Sequence, residues 1–182
     1  KNYYNYDISI EGANNDETNI CKSYRRKQTM IRHAEEKDMP VILNIYQIAR
    51  AFMAAHGNTV QWQNNHPSKE VLMQDVEKGQ LYVYENQDRV HGVFAFIPGE
   101  DPTYKVIDGA WMDDSPYAAI HRVASDGTEK GVFAKVVDYC KKEIPHLRID
   151  THERNLPMQG AIQKCGFHRC GIIHIADGSP RI

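Results

Sequence analysis

The segment from Tyr117 to Ala134, YAAIHRVASDGTEKGVFA, constrains the fold more than any other part of the chain. Ala119, Ile120, Val123 and Ala124 suit a strand buried on both faces. Asp126-Gly127 supplies a turn, and Val132, Phe133, Val136, Val137 and Cys140 recur at helical spacing. Lys130 and Gly131 are expected in the first turn of that helix. Unpaired N–H groups there carry partial positive charge, glycine admits an anion close to the backbone, and lysine adds a full charge. The layout therefore suits a diphosphate. A plain strand-turn-helix connection with a solvated lysine is the simpler alternative for this segment alone.

A second segment lies just downstream. Leu147 to Thr151 reads as a short strand, followed by His152-Glu153-Arg154-Asn155, a helix from about Pro157 to Lys164, and Cys165-Gly166-Phe167. Pro157 suits a first helical turn and Gly166 a C-terminal cap. The order strand, phosphate-type loop, helix, strand, Asn, helix, Gly-Phe resembles the GNAT-type N-acetyltransferase superfamily. Upstream, Met30 to Ala34 with Glu36 to Met39 resembles the first strand and the turn into the first helix of that family, and Arg89 to Ile97, bearing Gly92, resembles a central strand. The resemblance runs from Met30 to the C-terminus.

The resemblance implies an α/β (α+β) fold, with a central mixed, mostly antiparallel twisted sheet of about six to seven strands flanked by about four helices. It implies acetyl-CoA as co-substrate, no metal, and direct attack by a primary amine of a small-molecule or peptidyl acceptor. The pantetheine arm would hydrogen-bond the main chain of Val123, Ala124 and Ser125 like an added strand. Lys130, Gly131, Val132, Phe133 and Ala134 would surround the diphosphate, and Asn155 would contact the pantetheine. Three positions depart from the family pattern: Thr128 replaces a cation or glutamine, Phe133 replaces a small residue, and Ile162 replaces a tyrosine that protonates the departing thiolate. A non-catalytic acyl-CoA sensor or interaction domain of the same fold is the alternative reading, and an unrelated α/β fold sharing the strand-loop-helix is a third.

Amine attack needs a proton acceptor of near-neutral pKa or a water chain. His121, on the strand that should line the acyl chain, is the first candidate. A structural histidine hydrogen-bonded within the sheet is the competing reading. His152 is second, with Asp150 and Glu153 as partners. His121, His146 and His152 match no metal-ligand spacing.

A formal net charge of -2 gives no basic excess of the kind nucleic-acid binders carry. No apolar run reaches transmembrane length and no signal-peptide pattern is present, so a cytoplasmic protein without membrane contact is expected. Cys21, Cys140, Cys165 and Cys170 show no CxxC spacing and read as reduced thiols. Residues 30–182 have the size of one acyl-CoA N-acyltransferase domain. Residues 1–29 form an extension whose Tyr4, Tyr6, Ile8 and Ile10 alternate as in a strand. A homodimer is the expected oligomer on symmetry grounds, without a residue that decides it.

The other elements follow from pattern. Asp38 to Ala55 is a helix with Val41, Ile42, Ile45, Ile48, Ala49 and Phe52 on its apolar face. Ser68 caps a second helix to Lys78, with Gly79 stopping it. Leu81 to Tyr84 and Arg89 to Phe96 form a hairpin, and Phe167 to Ile175 is a further strand. The turn-rich insertion Pro98 to Tyr104 and the aromatics Tyr46, Trp62, Trp111 and Tyr117 are expected around the acceptor pocket.

Overall fold

The computed structural model describes residues 30–182, so the strand expected over Tyr4 to Ile10 lies outside the described residues. Leu81–Asn86 (β2) and Arg89–Pro98 (β3) pair antiparallel around Gln87 and Asp88, both at positive φ (52° and 60°), the conformation that matches the twist of a two-residue hairpin. Met30–His33 (β1) adds antiparallel to β2. Ala118–Ser125 (β5) adds antiparallel to β3, and Leu147–Ile149 (β6) adds parallel to β5. These strands form a five-stranded sheet in the order β1-β2-β3-β5-β6, with the apolar β3 at its centre. Asp108–Gly109 (β4), Gly171–His174 (β7) and Pro180–Arg181 (β8) form a separate small ladder. The expected single sheet of six to seven strands is thus divided, because β7 pairs with β4 and β8 rather than with β6.

Alternation along the strands builds one core on each face. Leu81, Val83, Val93 and Ala95 pack with Met39–Ala55 (α1) and Lys69–Glu77 (α2). Phe94, Phe96, Ala118 and Ile120 pack with Val132–Glu143 (α3). Gly92 sets how closely α3 approaches the sheet: a Cβ there would lie 2.7 Å from Val132 Cγ1, at the first residue of the helix.

Helix ends follow local chemistry. The Ser68 hydroxyl accepts from Val71 N–H and Gly79 leaves α2 at φ +64°. Asn155 caps Leu156–Lys164 (α4), its side-chain oxygen accepting from Met158 N–H at 3.3 Å. Gly131 is itself the N-cap of α3 at φ +72°, so Lys130 and Gly131 precede the helix rather than form its first turn.

The face of α1 is rotated from expectation. Met39, Ile42, Ile45, Tyr46 and Met53 are buried, whereas Ile48 and Phe52 are exposed. The predicted stripe followed hydropathy alone and missed Tyr46, which is drawn inward by a hydrogen bond to β5.

Candidate active site

β5 and β6 are paired only at Ala118 with Leu147, Ala119 with Arg148 and Ile120 with Ile149. Beyond that point β6 ends while β5 continues to Ser125, so among the described residues no strand pairs the main chain of 121–125 on that side. An open cleft of about 1060 Å³ lies there. Its walls include Ile48, Phe52 and Trp62 from α1 and the loop after it, and Pro157, Met158 and Ala161 from α4.

β5 is also bulged. Val93 faces Ala124 and Ala95 faces His121, so three steps of β5 oppose two of β3. Arg122 absorbs the extra residue at φ +54°, unusual for a residue with a side chain. Two contacts hold it: the Tyr46 hydroxyl donates to the Arg122 carbonyl at 2.7 Å, and the Arg122 guanidinium meets the buried Asp75 carboxylate at 2.9 Å. Burial pushes the Asp75 carboxyl up, against the pull of Arg122.

His121 and Asp150 each follow the last parallel pair of their strands and meet at the apex of the opening. His121 Nε2 is 2.8 Å from Asp101 Oδ2, and Nδ1 is 3.4 Å from Asp150 Oδ1. Asp150 Oδ1 also accepts from the buried Tyr104 hydroxyl at 2.8 Å. Thr103 N–H donates to Asp101 Oδ1 at 2.8 Å. Burial works to lower the His121 pKa, but the two carboxylates outweigh it and raise it to about 9. The hydrogen bond to His121 in turn holds Asp101 well below the usual carboxylate range. His121 is therefore an imidazolium at neutral pH with both ring nitrogens committed. Asp150, expected beside His152, pairs with His121 instead.

Of the residues expected in the site, His121, Val123, Ala124, Ser125, Val132, Phe133 and Asn155 line this one cleft. Phe133 does two things at once, packing against the α3 core and facing the cleft. Lys130, Gly131 and Ala134 are exposed beside the cleft's loop end, outside its lining. His152 is buried and outside the lining; burial and Arg181 lower its pKa, and its Nδ1 accepts from Arg154 N–H at 3.1 Å. Asn155 spans the cleft wall, donating to Gln61 Oε1 at 3.0 Å.

The aromatics divide. Trp62 lines the cleft and Tyr46 lies under it, whereas Trp111 and Tyr117 sandwich the Arg148 guanidinium at 4.2 and 3.9 Å from their ring centres. Ile162 faces a separate cavity of about 600 Å³ rather than the cleft. Among the described residues, no group of three or more His, Cys, Asp or Glu side chains is placed to hold a metal, and no helix is long and apolar enough to cross a membrane.

Sequence reasoning missed Asp101, Tyr104, Arg122 and Asp75. The insertion from Pro98 to Tyr104 was the available signal for the first two. Nothing local marks a bulge in a strand that reads as apolar on both faces.

No family model matches the chain. A GNAT-family acetyltransferase structure from Streptococcus agalactiae is 27% identical and superposes with a TM-score of 0.77, covering 84% of this chain and 91% of its own. The chain is similar in sequence and in fold to GNAT-family acetyltransferases. This likeness supports an acetyl-CoA-dependent acyltransferase. The peptidyl-lysine N-acetyltransferase YiaC of Escherichia coli is 21% identical over 141 residues, which span 76% of this chain and 83% of YiaC. A Clostridium acetobutylicum protein solved with acetyl-CoA shares the fold at 15% identity and a TM-score of 0.50, covering 78% of this chain and 91% of its own.

Proposed function

We propose that the chain transfers an acetyl group from acetyl-CoA to a primary amine of a small-molecule or peptidyl acceptor, by direct attack and without a covalent enzyme intermediate. The observation that carries this reading is the run of β5 from His121 to Ser125, which no strand among the described residues pairs on its β6 side and which leads from an ionised His-Asp cluster at one end to the Gly127–Gly131 loop and α3 at the other.

Along that run the groups of Val123, Ala124 and Ser125 that point away from β3 could accept from and donate to an extended arm, and an N–H among them could polarise a thioester carbonyl. The start of α3 offers unpaired N–H groups to a diphosphate, with Lys130 beside it. Thr128 is turned to Asp126, donating through its hydroxyl at 2.8 Å, so Lys130 and the backbone carry the anion's charge. The Asp101-His121-Asp150 cluster lies where the acyl carbon would meet the amine. The residues of α4 that face the cleft, Pro157, Met158 and Ala161, carry no donatable side-chain proton. The apolar wall of Ile48, Phe52 and Trp62 suits an acceptor with an apolar portion beside its amine. A cytoplasmic setting and a homodimer are part of this reading.

Calorimetry with acetyl-CoA is the test, paired with release of free CoA when amines are added. Saturable binding that is lost in Lys130→Glu, together with amine-dependent CoA release, is the expected result. Binding without CoA release across a broad amine panel would favour a sensor of the same fold, and absence of binding at millimolar ligand would overturn the proposal.

A further inference from the structure

Resting on the acetyltransferase reading, we infer that Asp150, and not His121, accepts the proton of the attacking amine, with His121 serving as a fixed cation that positions the carboxylate. The geometry distinguishes the two. A base must present a lone pair toward the substrate, within hydrogen-bond reach. Neither His121 nitrogen has one to spare: Nε2 faces Asp101 Oδ2 at 2.8 Å and Nδ1 faces Asp150 Oδ1 at 3.4 Å.

The carboxylates differ in what they leave open. Asp101 uses Oδ1 for Thr103 N–H and Oδ2 for His121. Asp150 concentrates its partners on Oδ1, which takes both the Tyr104 hydroxyl and the His121 ring. Its Oδ2 has no partner among the described residues, is not sealed from solvent, and belongs to a residue that lines both the cleft and the neighbouring cavity of about 600 Å³. Asp150 also immediately follows Ile149, the last β6 residue paired to β5, and therefore stands where the two strands part. Tyr104 is held for its task from behind, since Trp111 Nε1 donates to its carbonyl at 3.0 Å.

In the step assigned to Asp150, the amine nitrogen forms a bond to the thioester carbonyl carbon and the carbon–sulfur bond breaks. The bonding pair leaves with sulfur as thiolate. The proton lost by nitrogen goes to Asp150 Oδ2 and is passed to the thiolate or to water, which returns the carboxylate. His121 keeps its proton throughout.

Turnover is measured with acetyl-CoA and two acceptor probes, a lysine-containing peptide and phenethylamine, over a pH series. The groups facing His121 in that series are Asp101 and Tyr104 from the insertion, Asp150 after β6, and the Arg122-Asp75 pair beneath β5. Asp150→Asn is expected to lower kcat by roughly 10²- to 10⁴-fold, the range of a lost general base, while acetyl-CoA affinity stays within about threefold. His121→Gln is expected to lower kcat by less than Asp150→Asn. Tyr104→Phe supplies a variant that retains the carboxylate: its loss of a donor to Asp150 Oδ1 is expected to lower kcat by less than Asp150→Asn.

Turnover of Asp150→Asn within about threefold of wild type, or a larger kcat loss in His121→Gln or in Tyr104→Phe than in Asp150→Asn, overturns the assignment. A wild-type protein that binds no acetyl-CoA overturns the acetyltransferase reading as well, whereas an active wild type with an equally active Asp150→Asn overturns the base alone.

Discussion

The Tyr46 phenol, buried in α1, donates to the carbonyl of Arg122 across 2.7 Å and so ties the first helix to the one residue of β5 at positive φ. Burial pushes the Tyr46 hydroxyl far above its ordinary range, so it is a donor at every pH the fold survives. Tyr46→Phe leaves a buried carbonyl without its partner at a strained residue. The expected loss is about 1–3 kcal/mol of unfolding free energy. Urea denaturation measures it, and acetyl-CoA calorimetry on the same variant should show weaker binding, because in the proposed function the bulge shapes the strand that would receive the pantetheine. An unchanged affinity would separate the bulge from the binding site.

Gly92 and Val132 give a second test of how the sheet positions the loop. A methyl group at residue 92 would sit 2.7 Å from Val132 Cγ1 and 3.4 Å from the Ala124 carbonyl. Backbone on one side and a helix start on the other leave little room to yield. Gly92→Ala should therefore cost about 1–3 kcal/mol through overpacking and displace the N-terminus of α3. Acetyl-CoA affinity should fall with it, whereas Gly57→Ala, whose added Cβ has nothing within 4 Å, should leave affinity unchanged despite its own positive φ.

The fold was legible wherever one element announced itself through period and punctuation. The β2-β3 hairpin, the Ser68 cap and the strand-loop-helix of β5 and α3 all follow from residues within a few positions of one another. The site was legible in half. His121, Ser125 and Phe133 could be placed because they ride on β5 and α3, whose order is visible in the chain. Asp101 and Asp150 reach His121 from 20 and 29 residues away in sequence, through an insertion and a strand end that carry no period. The face of α1 failed for a related reason: Tyr46 is buried by a partner 76 residues distant, which no helical wheel contains.

The imidazole of His121 predicts a pH dependence of stability. Its pKa rises from 6.5 to about 9 on folding. A group whose folded value is raised contributes stability that is complete below the unfolded value and is lost as pH climbs through the folded one. Unfolding free energy should therefore decline between pH 6.5 and 9, by up to roughly 3 kcal/mol at about 1.4 kcal/mol per tenfold change in proton affinity. Denaturation of wild type and His121→Gln at pH 6, 7.5 and 9, on the order of one measurement per pH step, tests it. The decline should be present in the first protein and largely absent from the second; equal slopes would mean that the two carboxylates do not hold the ring protonated.

Asn155 permits its two roles to be separated by one atom. Its side-chain oxygen accepts from Met158 N–H at 3.3 Å as the cap of α4, and its side-chain nitrogen donates to Gln61 Oε1 at 3.0 Å. Gln61 Oε1 also accepts from Asn58 at 2.8 Å, so the nitrogen fastens the loop after α1 to the helix on the opposite wall of the cleft. Asn155→Asp retains a capping oxygen and adds a favourable charge at the helix start, but it sets a carboxylate against the Gln61 oxygen. Asn155→Ala removes both contacts and should cost about 1 kcal/mol as a lost cap. The aspartate variant should keep near-wild-type stability while the loop carrying Gln61 and Trp62 gains amide hydrogen exchange and acceptor KM rises. Should the aspartate lose as much stability as the alanine, the cap would not be the dominant contribution of this residue, and the cleft wall would owe its rigidity to the cross-wall contact instead.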